Sequence, residues 1–129
     1  MLGDIRDYIK ALKIGDYHSI GKIDDSKDNS IGVYSDGSQL KHEAIGLKSS
    51  YRTAGVRILY HGTKNLKDTE AKAHELYEKL RYITCTQMNK TFVQYFDLSY
   101  DEPVFVGTDS NGVYEYVISA VVYYRKAGN

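Results

Sequence analysis

The sequence predicts an α+β fold in which two helices pack against a mainly antiparallel sheet. Three observations support this prediction. Apolar residues recur at helical spacing near the N-terminus and again around residues 69–83. Short segments rich in β-branched and aromatic residues, separated by turn-like stretches, lie between and after the two helical patterns. The run from Val113 to Tyr124 is apolar on both faces, as expected of a central strand covered on both sides or partly covered by another subunit.

The N-terminal region is predicted to form a helix followed by a hairpin. One helical face carries Leu2, Ile5, Ile9 and Leu12. Gly15 is suited to end this helix. A strand at residues 17–23, a polar turn at 24–29 and a strand at 31–34 together predict a β-hairpin. Residues 35–50 begin with a turn signal and continue as a polar, weakly patterned stretch, for which we expect an exposed and mobile loop.

The second half of the sequence predicts a strand, a second helix and further strands. Tyr51 to His61 is a predicted strand with one buried face, and a helix is expected to begin near Asp68 or Thr69. The apolar stripe of that helix consists of Ala73, Leu76, Tyr77, Leu80 and Ile83. Residues 91–98 are a predicted strand with Phe92, Phe96 and Leu98 on one face, and Val104 to Val106 follows Pro103. Residues 109–112 have turn composition.

Length and composition indicate one globular domain spanning residues 1–129. No apolar run is long enough for a transmembrane helix, and residues 1–13 lack the apolar stretch of a signal peptide. Cys85 is the single cysteine, so an internal disulfide is excluded, which fits assembly in a reducing cytoplasm.

Charge is balanced overall but uneven along the chain. The 17 basic and 17 acidic residues cancel, which argues against specific nucleic-acid binding. Residues 1–40 have a balance of −2, residues 41–90 of +5 and residues 91–129 of −3. This pattern either reflects solvated faces or places a basic patch of one subunit against an acidic patch of its neighbour.

No pattern predicts catalysis or a cofactor. The histidines are His18, His42, His61 and His74, and none has the spacing of a zinc site. Cys85 lacks a cysteine partner, and the glycines form neither a nucleophile elbow nor a phosphate loop. We therefore predict no catalytic, cofactor-binding or metal-binding residues.

Several segments resemble small phage proteins named minor capsid proteins in prophages of Gram-positive bacteria. They are residues 8–16 (YIKALKIGD), 20–24 (IGKID), 30–34 (SIGVY) and 42–47 (HEAIGL), the last with Leu47 where a glycine is expected, and the strand around Arg57 to His61. The C-terminal half is similar to the ending of the tail-terminator superfamily in its Pro103, Gly107, Asp109, Gly112 and Tyr114–Tyr124. The resemblance covers nearly the whole chain.

The resemblance implies a structural tail-completion protein with a tail-terminator-like fold. Such a protein forms a ring, commonly a hexamer, that caps the tail tube and provides the docking surface for the head. Its expected partners are further copies of itself, the tail tube protein and the head-neck connector proteins, and its expected location is the head-tail junction of the virion. As subunit or tube contacts we single out Lys41, Lys48, Arg52 and Arg57 from the basic middle, against the plainer interpretation that they are solvated cations.

Two alternatives remain at the level of sequence. One is a neck component on the head side, an adaptor or stopper, or another minor capsid component. The other is a small α+β ligand-binding domain or enzyme with a pocket between helix and sheet, which a buried pocket with converging polar groups would support.

Overall fold

The computed structural model describes residues 1–37 and 51–126, and these ranges form two helices and seven strands. In chain order they are α1 (Leu2–Ala11), β1 (Tyr17–Ile20), β2 (Ser30–Ser35), β3 (Arg52–His61), α2 (Leu66–Arg81), β4 (Thr84–Met88), β5 (Thr91–Leu98), β6 (Val104–Thr108) and β7 (Tyr114–Lys126). The loop predicted up to residue 50 lies mostly outside the described residues, as does the segment 42–47 that carries part of the family resemblance.

The strands form one sheet in the order β1-β2-β3-β7-β5-β4, and β6 pairs with β7 beyond the end of β5. All pairings except β1 with β2 are antiparallel. The predicted α+β class is confirmed. The predicted central strand is also confirmed, because β7 pairs with β3 along one side and with β5 and β6 along the other.

The predicted N-terminal hairpin is wrong, because β1 and β2 run parallel. Residues 21–29 cross over the sheet and return to its starting end, as a parallel pair requires. The packing of Ile23 and the hydrogen bonds of Asn29 explain this path. Ile23 is buried against Gly32 of β2. Asn29 donates its backbone N–H to Gly62 and accepts from the N–H of Asp16 at 2.8 Å, and its side-chain oxygen accepts from the buried Tyr60 hydroxyl.

The ends of the helices differ from the predicted positions by a few residues. Helix α1 ends because Lys13 adopts a left-handed backbone conformation, with φ of 59°, before Gly15 is reached. Helix α2 begins before Asp68, because the side chain of Asn65 accepts the N–H of Asp68 at 3.1 Å. Thr69 is instead buried within the first turn, where its hydroxyl accepts the N–H of Thr63.

The core lies between the two described helices and one face of the sheet, which we call the helix face. The predicted stripe of α2 is buried there, together with Ile5 and Ile9 of α1. The helix face of the central strands consists of Val56, Ile58, Tyr60, Tyr116, Ile118, Ala120 and Val122. The opposite face, which we call the open face, carries the alternate residues of the same strands, among them Arg57, Leu59, Val117 and Val121.

Two further differences concern β4 and β5. Strand β4 was not predicted, because its sequence Thr-Cys-Thr-Gln-Met has little apolar character. In β5 a register shift between Val93 and Tyr95 interrupts the alternation. Phe92 therefore shares the open face with Arg125, whereas Phe96 is buried on the helix face, and the prediction that Phe92 and Phe96 share one face is wrong.

Helix α1 connects the two ends of this sheet. It contacts β1 and β2 at one end of the strand order and β4 at the other. At the β4 end, Asp4 accepts a hydrogen bond from the Thr91 hydroxyl, and Asp7 accepts one from the side-chain amide of Asn89 at 3.1 Å. The sheet therefore curls around α1.

Candidate interaction surfaces

Strand β6 is an edge strand with an apolar surface. Among the described residues it pairs with β7 on one side and has no strand on the other. Three consecutive apolar side chains are exposed along it: Val104, Phe105 at 50% and Val106 at 52%. Soluble proteins normally blunt such edges, because an exposed apolar edge is a template for pairing with another chain. This edge is therefore a candidate protein interface.

On the helix face, the β6 edge adjoins a hollow of about 440 Å³ with acidic walls. Its lining residues are Leu66, Glu70, His74, Glu102, Pro103, Phe105 and Tyr116. The Tyr116 hydroxyl lies 3.4 Å from the carboxylate of Glu70, and burial, followed by that carboxylate, raises the pKa of Tyr116. The ring of Phe105 lies 5.3 Å from that of Tyr116. The surface around Phe105 thus combines exposed apolar area with negative charge.

Strand β1 is the first strand in the sheet order and forms a second edge. Among the described residues it pairs with β2 alone. Tyr17 and Ile20 are exposed large hydrophobic residues. The side chain of His18 lies close to α1, and its pKa is lowered by burial first and then by the nearby charges of Lys10 and Arg6. This second edge therefore combines exposed apolar side chains with the nearby cations Lys10 and Arg6, of which Arg6 is paired with Asp7 at 3.0 Å.

The open face has a hollow of about 300 Å³ around Arg57. Its other lining residues are Tyr34, Ser35, Asp36, Leu59 and Val117. Burial raises the pKa of the Tyr34 hydroxyl above its ordinary value. The hollow presents a cation, a carboxylate and a phenol over the aliphatic side chains of Leu59 and Val117, as in a polar protein interface.

Aromatic rings line the open face near the C-terminal end of β7. The rings of Tyr95 and Tyr123 stack with their centroids 4.6 Å apart. The guanidinium of Arg125 lies over the ring of Phe92, 4.5 Å from its centroid. These pairs join β5 to β7 across the strands and stiffen this part of the sheet.

A buried histidine lies beside the turn between β6 and β7. His61, at the end of β3, is fully buried, and its Nδ1 lies 2.9 Å from a carboxylate oxygen of Glu115. Its Nε2 lies 3.8 Å from Oδ2 of Asp109. The other oxygen of Asp109 accepts the N–H groups of Asn111 and Val113, each at 2.9 Å. These contacts fasten the turn that joins the β6 edge to the central strand.

A profile of the family described as bacteriophage tail terminator protein matches residues 8–125. The chain belongs to the bacteriophage tail terminator family. The tail-terminator resemblance noted in the sequence is thereby confirmed, and the chain is a structural protein of a phage tail. A search of the curated proteins finds no match.

Seen as a member of the tail terminator family, the chain presents the predicted contact residues at separate places. Arg52 and Arg57 are both exposed, but an odd number of positions separates them along β3, so they lie on opposite faces of the sheet. Arg57 lies on the open face and Arg52 at the start of the strand, opposite Tyr124 of β7. Lys41 and Lys48 lie outside the described residues.

The described ranges contain no cluster of His, Cys, Asp or Glu that could hold a metal ion. Cys85 is exposed on the edge strand β4. Neither described helix has the length and apolarity needed to cross a membrane. Among the described histidines, His61 lies between the carboxylates of Glu115 and Asp109.

Sequence reasoning missed the two strand edges as surfaces. The Val-Phe-Val run after Pro103 was visible, but its position at the edge of the sheet depends on where the chain places β6 beside β7. The exposure of Ile20 was also not predictable. The sequence predicted a hairpin whose first strand runs to residue 23, and in that hairpin Ile20 would have had different neighbours.

Proposed function

We propose that this chain is a ring-forming tail terminator, or tail-completion protein, that caps the tail tube and provides the surface to which the head docks. The observation that carries the proposal is the family match over residues 8–125, which spans almost the whole chain. The ring, with six copies, would sit at the head-tail junction of the virion after assembly in the host cytoplasm. The minor capsid name and a Gram-positive host belong to this proposal as well.

The proposed partners are further copies of the chain, the tail tube protein and the head-neck connector proteins. The role needs noncovalent contacts and no bond making, so the proposal includes no enzymatic activity. A closed ring requires two different, complementary surfaces on every subunit. The acidic, apolar β6 edge and the basic, apolar β1 edge are two such surfaces, which is consistent with a ring.

Gene deletion tests the function directly. A phage that lacks this protein should produce filled heads separated from tails that are overlong or variable in length, because nothing caps the growing tube. Electron microscopy of the lysate measures tail length and attachment. Normal virions from the deletion would contradict the proposal. Tails of normal length without heads would point instead to a component of the neck.

Complementation of the deletion then tests the proposed contact residues. Of the four, Arg57 is placed on the open face and Arg52 on the other side of β3, so Arg57→Glu and Arg52→Glu form a matched pair. If the open face contacts the tube, Arg57→Glu reduces complementation more than Arg52→Glu does. Equal and full complementation by both variants would remove both arginines from the contact, and Lys41→Glu and Lys48→Glu extend the series.

A further inference from the structure

The two apolar strand edges lie at opposite ends of one continuous row of paired residues. Ser19 of β1 pairs with Gly32, Gly32 with Leu59, Leu59 with Val117 and Val117 with Val104 of β6. A second continuous row lies two residues away along β1 and runs from Tyr17 to Gly107. Strands β1, β2, β3, β7 and β6 therefore form a five-stranded ribbon with β1 at one edge and β6 at the other.

The directions of these edge strands suit pairing between copies. One parallel step from β1 to β2 and three antiparallel steps to β6 leave β6 antiparallel to β1. When a second copy is placed beside the first with the sheet continuing, β6 of one copy meets β1 of the next in antiparallel orientation. Antiparallel pairing is the slightly more stable arrangement per residue.

The side chains at the two edges match on both faces of the sheet. Tyr17 and Val104 lie on the open face, and Ile20 and Phe105 lie on the helix face. All four are exposed large hydrophobic residues. Pairing of the edges would remove apolar area from water on both faces at the same contact, which is the main favourable contribution to association.

We propose that β6 of one subunit adds antiparallel to β1 of the next subunit, so that the sheet continues from copy to copy around the ring. The inference rests on the proposed ring-forming function and identifies the surface that forms the ring. The contact is head-to-tail, since it joins two different edges, and such contacts generate closed rings when the rotation between copies allows it.

Charges on the helix face support this pairing. Glu70 and Glu102 flank Phe105 at the β6 edge, whereas Lys10 and Arg6 lie near His18 at the β1 edge. Each edge also holds groups of the opposite kind: His74 lines the acidic hollow, Asp16 lies near His18, and Asp7 pairs with Arg6 at 3.0 Å. Continuation of the sheet brings the acidic and basic groups to the same side of the contact, where opposite charges help set the register.

The remaining edge strand, β4, is less suited to pairing. Its exposed residues are Thr84, Cys85 and Gln87, which offer little apolar area. Cys85 and Asn89 have φ values of 45° and 52°, so the backbone is irregular within the strand and in the turn that follows it. Irregular, polar edges are a common protection against pairing. Strand β6 also has a register shift, between Phe105 and Gly107, but its exposed side chains are apolar.

Cross-linking of tails assembled in the complemented deletion tests the contact. In a Cys85→Ser background, Tyr17→Cys and Val104→Cys place thiols at exposed positions on the open face of the two edges, two residues apart in register. A short bismaleimide tolerates a register shift of two residues, about 7 Å. The double-cysteine protein should give a ladder of multimers on a denaturing gel. Each single-cysteine protein should stay monomeric, and a mixture of the two should give dimers.

Edge variants test the same contact without cross-linking. Val106→Lys and Ile20→Lys place a charge at each edge and should reduce complementation roughly tenfold or more by preventing assembly. Tyr82→Lys is the matched control, because Tyr82 is 74% exposed and lies on neither edge. Circular dichroism and the thermal midpoint of each purified variant establish that it is folded.

The outcomes separate failure of the contact from failure of the function. Ladders from the double-cysteine protein alone, with loss of assembly in the two edge variants, support the inference. Rings that are visible on tails but do not cross-link, or that form normally from Val106→Lys and Ile20→Lys, overturn the inference and leave the terminator function intact. A deletion phage with normal tails overturns the function itself.

Discussion

At the scale of single residues, the buried imidazole of His61 joins the end of β3 to the start of β7. Its partner Glu115 lies 54 residues away in the sequence, and only the pairing of β3 with β7 brings the two together. No local pattern around His61 indicates this contact, because a histidine at the end of a strand is compatible with many surroundings. The contact of His61 with Glu115 could therefore not be predicted from the sequence.

The carboxylate of Asp109 gives a prediction for pH dependence. The N–H of Val113, then that of Asn111 and the nearby His61, hold the pKa of Asp109 below its ordinary value. A lowered pKa in the folded state means that the charged form contributes stability above the pKa of the unfolded chain, and that this contribution is lost as the pH falls through the folded pKa. Asp109→Asn should therefore lower the denaturation midpoint at pH 7, and the difference from wild type should shrink under acid conditions.

Urea denaturation of both proteins, followed by circular dichroism between neutral pH and about pH 3, measures that difference. Asp101→Asn removes one negative charge from an exposed position in the acidic loop and serves as the control. A difference between Asp109→Asn and wild type that stays constant down to acid pH would show that the charge of Asp109 does not hold the turn.

At the scale of elements, the path of the connection from β1 to β2 could not be predicted from local sequence patterns. Residues 24–29 have turn composition, and that composition occurs both in a hairpin loop and in a crossover. The choice is made by tertiary contacts, chiefly the packing of Ile23 on Gly32 and the hydrogen bond of Asn29 to the distant Gly62. The stripe of α2 was predictable because its helical spacing is local, whereas its start depended on the side chain of Asn65.

Gly32 is predicted to be essential for the crossover. A Cβ atom at this position would lie 2.7 Å from Cγ1 of Ile23 and 2.9 Å from Cε2 of Tyr34, so either the crossover or β2 must move. We expect Gly32→Ala to lower the free energy of unfolding by about 1–3 kcal/mol, the usual cost of overpacking. Urea denaturation measures it.

Gly3→Ala is the matched control for the same added methyl group. Its Cβ would lie 3.4 Å from Cδ1 of Ile20, an ordinary contact, and the residue is within α1. We expect it to raise the free energy of unfolding by about 0.5 kcal/mol, because alanine is favoured over glycine in helices. If Gly32→Ala were as stable as wild type, the packing of the crossover on β2 would not be what determines its path.

At the scale of the whole molecule, the sheet curls around α1 and leaves its open face and two apolar edges exposed among the described residues. The fold class, the central position of β7 and the burial of α2 were predictable, since each follows from a local pattern of apolar residues. The contact surfaces could not be predicted, because which strands lie at an edge depends on the order of the strands in the sheet. Arg52 and Arg57 were predicted contacts because they belong to the basic middle of the sequence, but they lie on opposite faces of the sheet.

The most direct measurement of the central claim is electron cryomicroscopy of the intact virion, with this chain fitted to the density where the tail meets the head. The account predicts one closed ring of six copies on the head-proximal end of the tail tube. In that ring, density should continue from β6 of each copy to β1 of the next. Copies within the head shell or along the tube, or virions without this chain, would contradict the account.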